Sequence, residues 1–401
     1  MPPKSKPLIF YSIGERLGAH GLSLVARLAG EALQKEGMLQ KLLCYGYAKR
    51  FTGEKIQNVS VIFFQPAKLF SFLSAKYYYT MKRRWADFIS SHLLKKAEVD
   101  IFHGWAHSSI KSIRVAKKRG IISILERGNS HPLHTRKILI SEYKKYRVDD
   151  FFGEKETNPL LNIFNLWRYE FDEALLEINE CDYLFLNSDF CAKTYIKHGV
   201  DPKKIIIIPR GFDPSFYKTR PIQKQEDTFI VLFVGNLLLR KGIKYILESW
   251  DELKLKQAEL WFVGNTTNEV KFLFDEYLPK YKNIKLIGEV SNPSIYYKEA
   301  SVFLFPSIDE GSAKVTYEAM ASGLPCIFTE NAGSVATEEN ALIIPIRSKD
   351  AISSSLKKLY DNVHLRNNLG KKARAHIKNF TWEFYQKTLI NQYQKIFDAH
   401  Q

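Results

Sequence analysis

Between Val302 and Phe328 the chain reads strand, loop, helix, strand, and no other stretch limits the fold as strongly. Apolar Val302 to Phe305 ends at Pro306. A loop then carries Glu310 and Gly311, a helix-forming run extends from Ala313 to Ser322, and Gly323 and Pro325 stop it before Cys326 to Phe328. This is a βαβ unit, which commits its two strands to one parallel sheet. The helix begins just past the carboxyl end of the first strand. Its unpaired N–H groups and the positive end of its dipole therefore face the crevice where open α/β sheets bind ligands, and a phosphate fits there.

Glu310 and Glu318 are separated by seven residues, the first at the helix entrance and the second inside it. At roughly 1.5 Å of rise per residue they lie on the order of 10 Å apart along the axis, a gap that one diphosphate sugar spans. A carboxylate only accepts hydrogen bonds, which suits sugar hydroxyls at Glu310 and a ribose diol at Glu318. The stretch, ending Glu-Ala-Met-Ala-Ser-Gly-Leu-Pro, resembles the glutamate-x7-glutamate signature of retaining family 4 (group 1) glycosyltransferases of the GT-B fold. That resemblance places Glu310 near the reacting carbon as the catalytic carboxylate and Glu318 on the nucleotide ribose. It places Gly311, Ser312, Ala313 and Lys314 against the donor.

With 401 residues and 45% hydrophobic content the chain can build two domains, each with its own core. No apolar run approaches the roughly 20 residues needed to cross a bilayer. The start, Met-Pro-Pro-Lys-Ser-Lys-Pro, lacks the apolar segment of a secretory signal, so a cytoplasmic location is expected. Cys44, Cys181, Cys191 and Cys326 are scattered and read as reduced core thiols. The net charge of +16 resides in residues 1–150, which hold 27 Lys and Arg against 11 Asp and Glu. A basic face attracts anionic lipid or acidic glycans, or it reflects generic basicity; nucleic acid is not an expected partner.

Along the first half, strand Leu8 to Ile13 feeds a glycine loop, Gly14 to Gly21, and a helix from Leu22 to Lys35. The spacing is not Gly-x-Gly-x-x-Gly, so a dinucleotide site is unsupported. The family resemblance puts Gly18, His20 and Gly21 on the acceptor side of the cleft, while a tight turn needs the same glycines. After strands at Leu42 to Tyr45 and Val59 to Phe64, the residues Leu69, Leu73, Tyr77, Met81, Trp85, Phe88, Ile89 and Leu93 recur at threes and fours. They mark one long helix with a core face. Its basic residues, Lys82 to Arg84 among them, also allow it to lie on an anionic membrane surface.

Strand Val99 to His103 exits through His103-Gly-Trp-Ala-His107, and histidines at a strand's carboxyl end point into the cleft. The resemblance assigns one of them, His103 or His107, a place beside sugar and acceptor, although Trp105 interrupts the family's Asp-x-x-His-x-His pattern. Neither has metal-ligand company, and a structural histidine is the alternative. Strand Ile121 to Leu125 ends in Glu126-Arg127-Gly-Asn-Ser-His131, where Arg127 either holds an anionic acceptor group or pairs with Glu126. Helices at Thr135 to Tyr146 and Pro159 to Glu180, strand Tyr183 to Asn187, helix Asp189 to His198 and strand Ile205 to Ile208 follow. Pro209-Arg-Gly-Phe-Asp213 is similar to the family's Pro-x-Gly-x-Asp.

From Phe229 a second βα series leads to the opening unit: strands at 229–234, 259–263 and 284–287, helices at 242–253, 269–277 and 293–300. Gly235-Asn236-Leu-Leu-Leu-Arg240-Lys241-Gly242 sits at its first strand-to-helix junction. Arg240 suits a diphosphate as a fork and Lys241 as a point charge. The stretch resembles the family's Gly-Arg-x-x-x-x-Lys-Gly clamp with Asn236 in place of arginine. Gly288-Glu289-Val290 is similar to the loop that holds the base through its backbone. Helices at 350–361 and 365–379 precede a last helix that ends near Phe397.

The expected architecture is two Rossmann-like domains facing a cleft: 1–212 for the acceptor, linker 213–227, 228–380 for the nucleotide-sugar donor, and a helix at 381–401 crossing back. The resemblance implies sugar transfer with retention to a glycan or lipid-linked acceptor, no metal or other cofactor, and peripheral membrane attachment. The competing readings are a nucleotide-sugar 2-epimerase or phosphorylase on the same scaffold, and a non-catalytic binder of anionic glycans or nucleic acid.

Overall fold

The computed structural model describes residues 5–18, 21–45, 59–61, 75–146, 166–216 and 228–401. Two parallel sheets organise them. The first is built from β1 (Ile9–Ser12), β2 (Leu39–Cys44), β3 (Val59–Val61), β4 (Ile101–Trp105), β5 (Ile122–Arg127), β6 (Tyr183–Leu186) and β7 (Ile205–Ile207), in the order 3-2-1-4-5-6-7. The second comprises β8 (Phe229–Val234), β9 (Ala258–Val263), β10 (Ile284–Gly288), β11 (Val302–Phe305), β12 (Cys326–Thr329) and β13 (Leu342–Ile344), in the order 10-9-8-11-12-13. Each order reverses once, between β1 and β4 and between β8 and β11. A crevice opens beyond the carboxyl ends of the strands at each reversal, and ligands of doubly wound sheets bind there.

The strands are short apolar runs because helices cover both faces. The second sheet and its helices form one core around Phe233, Phe262, Phe303 and Phe305. The first sheet has a core on each face. The last helix, Trp382–Asp398, contributes Tyr385, Leu389, Tyr393 and Phe397 to one of them. The backbone enters that helix beside Gly211, where a Cβ would lie 2.5 Å from the Trp382 nitrogen. All four cysteines are buried, and burial pushes Cys181 and Cys191 up to about 12, so both stay protonated thiols.

His103 does not face the cleft. It lies inside β4, fully buried, stacked on Tyr11 at 4.5 Å between ring centroids. Its Nε2 is 3.0 Å from a Glu126 oxygen and its Nδ1 is 2.8 Å from the Tyr393 hydroxyl. The strand runs two residues past the expected end, so His103 is an interior position that ties the last helix to the sheet. Tyr393→Phe deletes the partner of a fully buried ring nitrogen and is expected to cost about 1 to 3 kcal/mol. A urea midpoint equal to that of the unchanged protein, at equal slope, would contradict this.

The helix Ala75–Leu94 (α2) packs Trp85, Ile89 and Leu93 of its apolar stripe against the core, while Phe88 is 46% exposed and Leu69 and Leu73 lie outside the described residues. Its fully buried side carries Ala86, Asp87, Ser90 and Leu94. Asp87 is buried as a cap for the next helix. Its carboxylate accepts the Lys111 N–H at 2.7 Å and the Ser112 N–H at 3.0 Å, capping the helix Ile110–Arg119 (α3), whose own N-cap Ser109 turns its hydroxyl to the Trp105 carbonyl at 2.8 Å instead. Gly120, at φ +68, ends it, and no helix was expected there.

Helix Pro132–Lys145 (α4) follows β5, yet its Leu139 and Tyr143 belong to the core of the second sheet. His131 starts it, with Nδ1 accepting the Leu133 N–H at 3.3 Å. Burial and the neighbouring His198 push His131 down to about 4, which keeps that nitrogen an acceptor at neutral pH.

Candidate active site

The loops after β8 and β11 meet at the second switch point. Gly242 has φ +77, and a Cβ there would lie 2.3 Å from the Pro306 carbonyl, so only glycine lets the two junctions touch. The Ile308 N–H donates to the Arg240 carbonyl at 2.7 Å. Arg240 and Lys241 sit on the single turn Leu239–Lys241. Arg240 Nη1 donates to the Asp309 carbonyl at 3.0 Å and to Glu310 Oε1 at 2.5 Å, and Lys241 Nζ lies 3.8 Å from that same carboxylate oxygen. Gly235, at φ +135, leaves room for the ammonium, which would be 2.9 Å from a Cβ. Burial pulls Lys241 below the usual lysine range while Glu310 opposes that shift. Two cations thus share the Glu310 carboxylate.

Helix Lys314–Ala321 starts beside this cluster, and its N-cap, Ala313, supplies no side-chain acceptor. Gly311, Ser312 and Ala313 are buried, and the Ser312 and Tyr317 hydroxyls are 3.0 Å apart. Glu318 is 3% exposed: it accepts from the Tyr297 hydroxyl at 2.9 Å and is covered by exposed Lys314, Nζ to Oε1 2.7 Å. Asn236 and Glu289 are exposed and Val290 half-buried, the last two just after Gly288 at φ +83.

At the first switch point a cavity of about 310 Å³ lies over the ends of β1, β4 and β5. Glu15, Arg83, Trp105, His107, Glu126 and Arg127 line it with mixed charge. His107, at φ +66, is held by Glu177 of the helix Leu166–Glu180, whose carboxylate accepts the His107 and Ser109 N–H groups at 2.8 and 2.9 Å. Arg127 pairs with Glu177 at 3.6 Å and donates to the Tyr195 hydroxyl at 2.8 Å. Of the two roles open to Arg127, pairing with Glu126 is not the one adopted: that carboxylate bonds His103 and Tyr11. Burial pushes Glu177 up to about 7, with Arg127 as the opposing influence. Gly18 lies on the loop after β1 and Gly21 opens the helix Gly21–Lys35; neither lines the cavity, although the next residue, Leu22, does, and His20 lies outside the described residues.

The two switch points touch. Gly128 and Asn129 line the cavity, and a Cβ on Gly311 would lie 1.5 Å from the Gly128 carbonyl oxygen. Ser188 donates to the Gly311 carbonyl at 2.5 Å, and Ser130 to Asp309 Oδ1 at 2.7 Å. The Glu310 loop therefore abuts the rim of the polar cavity. Sequence reasoning missed Glu15, Arg83, Glu177 and Asp309 as site residues; the signal for Glu15 was its place just after a switch-point strand.

Two parallel-sheet halves that meet through their switch-point loops, with a cation pair on one and a polar cavity on the other, form the GT-B architecture. The family model described as glycosyl transferases group 1 matches residues 217–376, and the one described as Glycosyltransferase Family 4 matches residues 19–216. The chain belongs to this group 1, family 4 class of GT-B glycosyltransferases. It is 30% identical over 233 residues to the capsular polysaccharide biosynthesis glycosyltransferase CapH of Staphylococcus aureus, covering 57% of this chain and 58% of that protein. It is 26% identical over 312 residues to the UDP-Gal:alpha-D-GlcNAc-diphosphoundecaprenol alpha-1,3-galactosyltransferase of Escherichia coli, covering 72% and 73%. The chain spans about half the length of the first curated relatives it matches. The structure of Anabaena HepE in complex with UDP superposes with a TM-score of 0.64 at 14% identity, covering 96% of this chain and 99% of that one.

Proposed function

We propose that the protein is a retaining glycosyltransferase that moves a sugar from a nucleoside-diphosphate sugar to a glycan or lipid-linked acceptor in cell-surface polysaccharide or glycolipid synthesis. The observation that carries this reading is the pairing of Arg240 and Lys241 with Glu310 at the switch point. A diphosphate, with more charge than one carboxylate, takes over both cations and frees Glu310 to accept from sugar hydroxyls. As the bond between the anomeric carbon and the diphosphate breaks, its electron pair passes to phosphate oxygen, and the cations and the Lys314 helix terminus stabilise that growing charge without a metal ion. The acceptor oxygen, presented from the first-domain cavity, bonds to the same carbon and gives its proton to the departing phosphate.

Glu318 holds the ribose once Lys314 moves, and the backbone at Glu289 and Val290 holds the base. His107 and Arg127 contact the acceptor, with Glu15 and Glu126 accepting from its hydroxyls. Because the E. coli relative's name specifies UDP-Gal and the HepE complex holds UDP, uridine diphosphate is the first donor fragment to test. No helix among the described residues is long and apolar enough to cross a membrane. A cytoplasmic protein resting on the membrane suits a lipid-linked acceptor; on α2 it is Tyr79 and Phe88 that are exposed for such a contact, because Lys82 is buried and Lys82, Arg83 and Arg84 pair with Glu15 and Glu173.

Uridine, guanosine or adenosine diphosphate at about 100 times its Kd is expected to add roughly 2.7 kcal/mol of stability, visible as a raised melting midpoint. No shift with any of the three would sink the donor reading. Incubation of the matching nucleotide sugar without acceptor should leave it intact, since conversion to another sugar would mark an epimerase.

A further inference from the structure

Glu269 stands in the first turn of the helix Asn268–Tyr277, and nothing above gives it a task. Its two oxygens are committed in different directions: Oε1 accepts the Leu239 N–H at 2.7 Å, and Oε2 accepts the Tyr143 hydroxyl at 2.8 Å. Leu239 opens the turn that presents Arg240 and Lys241, and the residue before it, Leu238, offers no capping side chain. Glu269 therefore supplies the acceptor that the turn itself lacks. Tyr143 comes from α4, 126 positions earlier, and its ring is buried in the second-sheet core.

The other end of that segment also reaches the clamp. Ser130, just before α4, bonds the Asp309 carboxylate, and the Asp309 carbonyl accepts from Arg240. Glu142 anchors α4 between these ends, accepting from Tyr245 at 2.9 Å and from Arg347 at 2.6 Å. A segment continuous with the rim of the first-domain cavity thus grips the cationic turn from two sides.

We propose that Glu269 is a positioning residue for the diphosphate clamp, set by Tyr143 across the boundary between the sheets, so that Arg240 and Lys241 reach their binding geometry only while α4 is docked. The inference rests on the donor reading above. It makes acceptor-side structure a determinant of donor affinity.

The test is calorimetric titration with uridine, guanosine and adenosine diphosphate, the tightest being used throughout. Tyr143→Phe keeps the buried ring and removes only the donor; it is expected to weaken binding about 3- to 5-fold. Glu269→Ala removes both contacts and is expected to weaken it about 10-fold or more. In the Glu269→Ala background Tyr143→Phe should add almost nothing, because the two act through one carboxylate. Glu269→Gln can still accept the Leu239 N–H through its amide oxygen and should recover most of the affinity. Melting midpoints within a few degrees identify the folded variants, and if Glu269→Ala does not fold, Tyr143→Phe and Glu269→Gln carry the comparison.

Wild-type affinity in Tyr143→Phe, or an equal cost of that change with and without Glu269, overturns the inference. Lys241→Ala separates the two levels. If it loses diphosphate binding while the Glu269 variants do not, only the positioning role falls. If wild-type protein binds none of the three diphosphates, the donor reading falls and takes this one with it.

Discussion

Lys241→Ala is expected to lower kcat/KM for the nucleotide-sugar donor by about 100- to 1,000-fold, the range for losing one preorganised charge in a dry site, roughly 2.7 to 4 kcal/mol. The geometry argues for the upper part of that range. Lys241 is buried, its ammonium sits over Gly235, and desolvation already lowers its proton affinity. A cation held away from water interacts more strongly with a leaving diphosphate than a surface lysine does. Arg240 cannot replace it, since the diphosphate already engages that guanidinium and Arg240 Nη1 is also tied to the Asp309 carbonyl. Steady-state kinetics with the donor selected by the stability screen provide the measurement. Activity within tenfold of wild type would remove Lys241 from the clamp.

Gly311→Ala is the second large effect, and it acts through the approach of the two halves. An added Cβ would lie 1.5 Å from the Gly128 carbonyl oxygen and 2.5 Å from its carbon. These are backbone atoms, so no side-chain rotation relieves the clash, and the loops at 128–130 and 309–311 must separate. Separation also stretches the Ser188 to Gly311 and Ser130 to Asp309 hydrogen bonds. A displacement of about 1 Å between donor and acceptor groups costs on the order of 100-fold in rate, and a loss of at least that size is expected. Diphosphate binding should weaken by less than transfer, because the Ser130 to Asp309 bond also steadies Arg240 while Glu269 and Tyr143 still hold the turn. Transfer within threefold of wild type would show that this close approach is not needed for the reaction.

The fold was largely legible because each βα unit carries its own punctuation. Apolar runs end at glycine or proline, and helices begin with residues such as Ser188, which caps Asp189–Lys197 through the Cys191 N–H. Two elements escaped notice: α3, which takes its N-terminal cap from Asp87 on α2 although Ser109 and Gly120 bracket it, and β13, which is only three residues long. The cluster of Arg240, Lys241 and Glu310 was legible because these residues follow strands that sit side by side at the switch. The polar cavity of the first sheet was not. His103 and Arg127 each had two candidate roles in the sequence, and burial chose between them: His103 ended in a network with Glu126 and Tyr393, Arg127 on Glu177.

By itself the sequence determined the two parallel sheets, the strand ends that carry the site, and the residue types able to hold a diphosphate. Hydrophobic period and turn chemistry act over a few residues, and those signals survive without a partner. The tertiary structure alone decided that Glu310 rests between two cations, that Glu318 lies beneath Lys314, that α4 serves the second core, and that Gly311 faces Gly128. Each of these depends on which desolvated group finds a hydrogen-bonding or ionic partner far away in the chain. A buried polar group is costly until such a partner is found, and only the assembled fold supplies it.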